Sequence, residues 1–169
     1  MSTPSSTPAR RSRWAAIGAA VAVSLGALGV SIADATTTPW ERLVYVPIEP
    51  CRIMDTRADF QVGPRGTPLG AAETYSVNGE GFTGECDLPG NVAALAMNVT
   101  AVRATARTYL TFWETGVARP STSSLNPVPG APPTPNSLTV AISDEDTGRF
   151  SVYNRAGAVD VFADVSGFY

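Results

Sequence analysis

Residues 43–169 are predicted to form an all-β domain, an antiparallel β-sandwich of jelly-roll-like type, and three observations lead there. No stretch of this part of the chain repeats its apolar residues with helical spacing. Apolar residues come instead in short runs with period two, the pattern of strands with one buried face. Clusters of Gly, Pro, Asn, Asp and Ser separate those runs. A threefold, trefoil-like barrel is the alternative, because two stretches of the chain look alike and residues 75–81 resemble a fainter third copy. That third copy lacks a preceding apolar strand of comparable length, which favours the sandwich.

The chain opens with a segment built for export. Residues 1–13 are rich in Ser, Thr and Pro, with Arg10, Arg11 and Arg13 as their only charges. Residues 14–32 are uncharged and mostly Ala, Val, Leu, Ile and Gly. Ala33-Asp34-Ala35 then places small residues where a signal peptidase reads them, so residues 1–35 are expected to be a signal peptide cleaved after Ala35. An uncleaved signal anchor is the alternative, since the apolar run is about long enough to cross a bilayer. Arg10-Arg11 leaves general and twin-arginine export both open. Residues 36–42 form a short linker, and 43–169 a single domain large enough for its own core.

Within that domain the first expected strand carries Pro50-Cys51-Arg52-Ile53-Met54-Asp55-Thr56-Arg57. A Gly/Pro-bearing loop follows over 59–72. Residues 92–102 give the clearest strand: Ala93, Leu95, Met97, Val99 and Ala101 alternate with a second face carrying Asn98 and Thr100. Being largely apolar on both faces, it should be central. Tyr109-Leu110-Thr111-Phe112-Trp113 comes next, then a loop over 116–136 with six prolines, which cannot be a central strand. Residues 122–126 suggest a brief edge strand inside it. A strand from Asn136, a turn at Asp144-Glu145-Asp146 and a strand from Phe150 repeat the earlier strand-turn-strand order, so each unit reads as a hairpin. The last strand alternates Val159, Val161, Ala163 and Val165 with Asp160, Phe162 and Asp164, and is expected to pair with 92–102.

Cys51 and Cys86 are the only cysteines. In an exported chain they are expected to form one disulfide, worth about 4 kcal/mol in the chain-entropy model, with two buried thiols as the alternative.

Seven landmarks occur in order: Pro50 to Arg57; Cys86-Asp87-Leu88-Pro89; Ala96-Met97-Asn98-Val99-Thr100-Ala101-Val102; Tyr109 to Trp113; Ser123-Ser124-Leu125-Asn126; Ser151-Val152-Tyr153-Asn154; and Asp160 to Tyr169. Together they resemble the poorly characterised β-rich modules found, singly or in arrays, in exported proteins of actinobacteria and other soil bacteria. The resemblance implies an extracytoplasmic β module. It implies no catalytic residues.

Composition excludes much chemistry. There is no histidine, so histidine-activated nucleophiles and imidazole metal sites are ruled out. Two cysteines without histidine cannot close a zinc site, and no cofactor-binding motif is present. The net charge is −3 and every basic residue is an arginine, which leaves no footprint for nucleic acid. Membrane contact is expected only through an uncleaved N-terminal segment.

Carboxylates survive this filter. Asp160 and Asp164 lie about 13 Å apart along one strand face, too far for a glycosidase pair. They are expected to be structural, hydrogen-bonded to backbone or Ser/Thr donors, with a calcium site as the lesser alternative. Asp55 and Arg57 are expected to form a structural ion pair, the alternative being that Arg57 reads a ligand carboxylate. Ligand contact is expected from Tyr109 and Trp113 if Leu110 and Phe112 point inward, with Asn126, Asn154 and Arg155 as polar partners. The competing expectation is that Trp113 plugs the core.

The resulting expectation is an exported, non-catalytic surface or extracellular module that binds a polysaccharide or another cell-envelope component without metal or cofactor. A carboxylate-dependent glycan hydrolase is the alternative. A purely structural module associating through edge strands is a third reading.

Overall fold

The computed structural model describes residues 43–143 and 148–169. The expected signal peptide, the linker and the Asp144–Asp146 turn lie outside these residues. Nine strands form, with no α-helix among the described residues: β1 (Val46–Asp55), β2 (Glu73–Asn78), β3 (Gly81–Thr83), β4 (Cys86–Leu88), β5 (Ala94–Val102), β6 (Leu110–Glu114), β7 (Thr134–Ala141), β8 (Arg149–Asn154) and β9 (Asp160–Phe168). All pairings are antiparallel. One sheet runs β1-β9-β5-β7, a second β2-β8-β6, and β3-β4 is a small hairpin. The protein is therefore all-β with antiparallel sheets, an arrangement consistent with a sandwich.

The strand expected to be central is central. β5 lies between β9 and β7, with Leu95, Met97, Val99 and Ala101 buried. Its partner β9 buries Val161, Ala163 and Val165, and the register sets Val99 opposite Ala163. Residues opposed in an antiparallel pair share a face, so these two strands supply one wall of the core. Val77, Leu110, Phe112, Phe150 and Val152 of the three-stranded sheet belong to the same apolar cluster.

The two similar stretches are not hairpins. β5 pairs with β7 in one sheet, whereas β6 pairs with β8 in the other. Each unit thus sends its first strand to one sheet and its second strand to the other. Local pattern reports strand, turn and strand; it does not report which sheet each strand joins. A second departure concerns Pro135, which lies inside β7 opposite Thr100 rather than in the preceding loop. β7 is the outer strand of its sheet, where a proline costs no ladder bond on the solvent side.

In β1, the register breaks between Arg52 and Met54. Such a bulge inserts an extra residue, and here it lets Ile53 and Met54 both be buried while Arg52 stays opposite Asp164. The turn between β3 and β4 closes against this bulge. Gly84 has φ +61, and a Cβ there would come within 2.5 Å of the Ile53 carbonyl oxygen. Only glycine allows that approach. Two residues on, Cys86 is bonded to Cys51 with Cα atoms 5.3 Å apart, as expected from the sequence.

Candidate functional site

The motif at the end of β1 organises a network of charges. Asp55 is fully buried. Arg57 donates to it from Nε (3.0 Å), Nη2 (2.6 Å) and its backbone N–H (3.0 Å), and Arg52 adds Nη1 at 3.0 Å. Burial pushes the Asp55 carboxyl up, but the hydrogen bonds from Arg57 and the charges of both arginines outweigh it and hold the group below its usual range. Arg52 also grips Asp164 with two bonds, Nε at 2.8 Å and Nη2 at 3.1 Å. Both guanidinium groups lie over the Phe162 ring, at 4.5 and 4.4 Å. The Thr56 hydroxyl donates to Asp160 at 3.1 Å and accepts from the Val161 N–H at 2.9 Å.

These contacts engage all four polar residues singled out in the sequence. Asp160 accepts from the Thr56 hydroxyl, and its other oxygen lies 3.6 Å from Arg103 Nη1. Asp164 is held by Arg52 rather than by a backbone or Ser/Thr donor, because the β1 register brings an arginine opposite it. The fork of Arg57 is taken up by Asp55. Among the described residues no group of three or more carboxylate or cysteine side chains is placed to hold a metal ion.

The aromatic residues occupy the outer face of the three-stranded sheet. Leu110 and Phe112 point into the core. Thr111 pairs with Tyr153 and Trp113 with Ser151, so these four share the opposite face. Tyr109 and Trp113 are half-buried there, outside the core cluster. Trp113 is not a core plug.

Backbone bonds extend the arrangement sideways. The Arg155 N–H donates to the Tyr109 carbonyl at 3.1 Å. On the other side, Leu110 bridges Leu125, and the Thr108 N–H donates to the Pro127 carbonyl at 3.2 Å, which sets Asn126 opposite Tyr109. Arg155, Tyr109 and Asn126 thus form one row across three neighbouring segments, with Arg155 and Asn126 exposed. The brief edge strand expected at 122–126 is present only as the single bridge at Leu125.

Asn154 does not join them, and its expected ligand role is withdrawn. It is fully buried, pointing inward opposite Leu110. Its Nδ2 donates to the carbonyls of Leu69, Gly70 and Gly157 at 3.1, 2.9 and 2.8 Å, while its Oδ1 accepts from the Thr108 hydroxyl at 2.7 Å. Both the amide nitrogen and its oxygen are used to tie loops together. The sequence invited the error because Asn154 and Arg155 are neighbours, whereas alternation puts them on opposite faces.

Two residues of this face were not foreseen. Tyr153 packs against Tyr109 with ring centroids 6.2 Å apart, and Arg119 lies over the Tyr153 ring at 3.6 Å. Tyr153 was recoverable from its alternation with Val152; Arg119 was not, since nothing in a proline-rich loop reveals where it folds back. That loop is anchored to the sheet by the Thr111 hydroxyl donating to the Thr122 carbonyl (2.8 Å) and by Trp113 Nε1 donating to the Val117 carbonyl (3.2 Å). The outcome is two half-buried rings, Tyr109 and Trp113, on either side of the buried Tyr153, Thr111 and Ser151, with the exposed Arg155 and Asn126 beside Tyr109.

Compared with known proteins, the chain matches no family model, and no curated sequence is significantly similar to it.

Proposed function

We propose that this chain is an exported, non-catalytic module that binds an extracellular polysaccharide across the outer face of its three-stranded sheet. The observation that carries this reading is the row Arg155–Tyr109–Asn126 together with Trp113 on the same face. Tyr109 and Trp113 are four residues apart, about 13 Å at roughly 3.3 Å per strand residue. That separation suits a polymer that meets more than one ring. Aromatic faces stack on the apolar face of a sugar, and the flanking amide and guanidinium supply hydrogen bonds to hydroxyls.

The strand order supports reading the sandwich as jelly-roll-like. Apart from the β3–β4 hairpin, successive strands alternate between the two sheets, and the bridge at Leu125 stands beside β6 where a fourth strand would complete the second sheet. Jelly rolls house many lectins, a link that rests on fold analogy alone. The sequence resemblance to exported actinobacterial β modules, the apolar N-terminal segment and the disulfide support placement outside the cytoplasm. Hydrolysis is disfavoured because Asp55 and Asp164 are tied to arginines. A general acid needs a carboxyl whose pKa is raised, and that of Asp55 is lowered.

A glycan array probed with the intact chain tests the reading. Retention on neutral polysaccharides, with no shortening of the retained polymers, is expected. Release of reducing ends, abolished by Asp164→Asn, would transfer the assignment to the hydrolase.

A further inference from the structure

A cavity of about 630 Å³ opens elsewhere on the molecule, between β1, the turn Ala58–Phe60 and the chain at Glu85. It borders the four-stranded sheet through Arg52 and Asp164, so it is separate from the aromatic row on the three-stranded one. We infer that this cleft is a second ligand site, and that it takes a sugar ring carrying no anionic group, with an amine-bearing sugar preferred.

The wall is apolar at one place. Phe60 is 56% exposed, and the Arg57 guanidinium covers one of its faces at 4.4 Å. Phe60 therefore stands fixed, with ring surface left over for a ligand. The floor is polar and rigid: Arg52 is clamped to Asp164 and Asp55 and cannot swing away. Gln61 is held by its own Nε2 donating to the Gly63 carbonyl at 3.0 Å. Glu85 is fixed on the far side by its N–H bond to the Arg52 carbonyl (2.8 Å) and by the adjacent disulfide.

Two features select the class of ligand. A peptide strand cannot add to the edge of β1 here. The Arg52 carbonyl is taken by Glu85, and Asp55 exchanges both backbone bonds with Val62, at 3.0 and 3.1 Å. Recognition must therefore come from side chains around a compact ligand, and the volume falls in the range of small-molecule sites. Charge does the rest. Arg52 is already neutralised by Asp164, which leaves Asp59 and Glu85 as the lining charges without a salt-bridge partner. An anionic sugar would meet repulsion. An ammonium beside an aromatic ring would meet attraction from both the carboxylates and the ring face.

The intact chain carrying Trp113→Ala and Tyr109→Ala, which removes the first surface, should be titrated with three oligosaccharides: cello-oligomers (neutral), chitosan oligomers (amine-bearing) and oligogalacturonate (anionic). Hydrogen-exchange mass spectrometry reports the location. The expected result is protection around 58–62 and 85, tightest with chitosan oligomers, weaker with cello-oligomers and absent with oligogalacturonate. Phe60→Ala should weaken both active ligands at least tenfold, and Glu85→Gln should weaken the amine-bearing one selectively. Binding of oligogalacturonate as tight as that of chitosan oligomers overturns the inference. So does unchanged affinity in Phe60→Ala, a residue exposed enough that its loss leaves the fold intact. Failure of the aromatic row would appear instead in the parent chain, as no ligand protection near 109–113 and 155.

Discussion

At Asp55, a carboxylate with no exposed surface is surrounded by donors from two arginines and a backbone N–H. Its folded-state pKa lies below the unfolded value of about 3.9. The stability it contributes is present above that value and is lost as pH falls through the folded pKa. A thermal melt series from about pH 6 to about pH 2 should show stability falling once the pH drops below about 4. In Asp55→Asn that fall should be shallower, and stability at neutral pH should drop by about 3 kcal/mol, since Arg57 loses its carboxylate partner while Arg52 keeps Asp164. Asn154→Ala should cost about 2 kcal/mol, because the buried Leu69 carbonyl and the part-buried carbonyls of Gly70 and Gly157 each lose a donor and the Thr108 hydroxyl its acceptor. Chemical denaturation measures both. At this scale the sequence was legible where chemistry is local: Asp55 and Arg57 are two apart and find each other. Arg52 gripping Asp164 was not legible, because it depends on the register of two strands far apart in the chain.

Individual strands were easier to read than their partners. β5 and β9 stood out through period-two apolar alternation, and they do pair with Val99 facing Ala163. Leu95→Ala or Met97→Ala, each in the wall of the core, should cost about 2–5 kcal/mol. Costs below about 1 kcal/mol at both positions would mean that the faces are exchanged, as a one-residue slip does. What alternation does not carry is layer assignment. The repeated stretches looked like hairpins because turn residues separate their strands, yet in each the two strands belong to different sheets. The β3–β4 hairpin is fixed by the disulfide and by Gly84 rather than by a broad apolar face. Paired Cys51→Ser and Cys86→Ser substitutions should therefore lower stability by about 2–5 kcal/mol, read from the denaturant midpoint.

For the molecule as a whole, one core serves both sheets, and each outer face presents a different chemistry. The three-stranded sheet offers rings edged by Arg155 and Asn126; the four-stranded sheet offers a charge network beside a cleft. Four of the five residues expected to contact a ligand, Tyr109, Trp113, Asn126 and Arg155, come to one face, since strand alternation and the bridge at Leu125 place them there. The most direct test of the account is the affinity of the intact chain for an insoluble polysaccharide that it retains, measured for Trp113→Ala beside the thermal midpoint. Loss of a stacked ring should weaken binding by about 1.5–3 kcal/mol, roughly ten- to hundredfold, while the variant stays folded and loses about 1–2 kcal/mol of stability with the bond to the Val117 carbonyl. Unchanged affinity, or unfolding of the variant, would contradict the claim that this face is the binding surface.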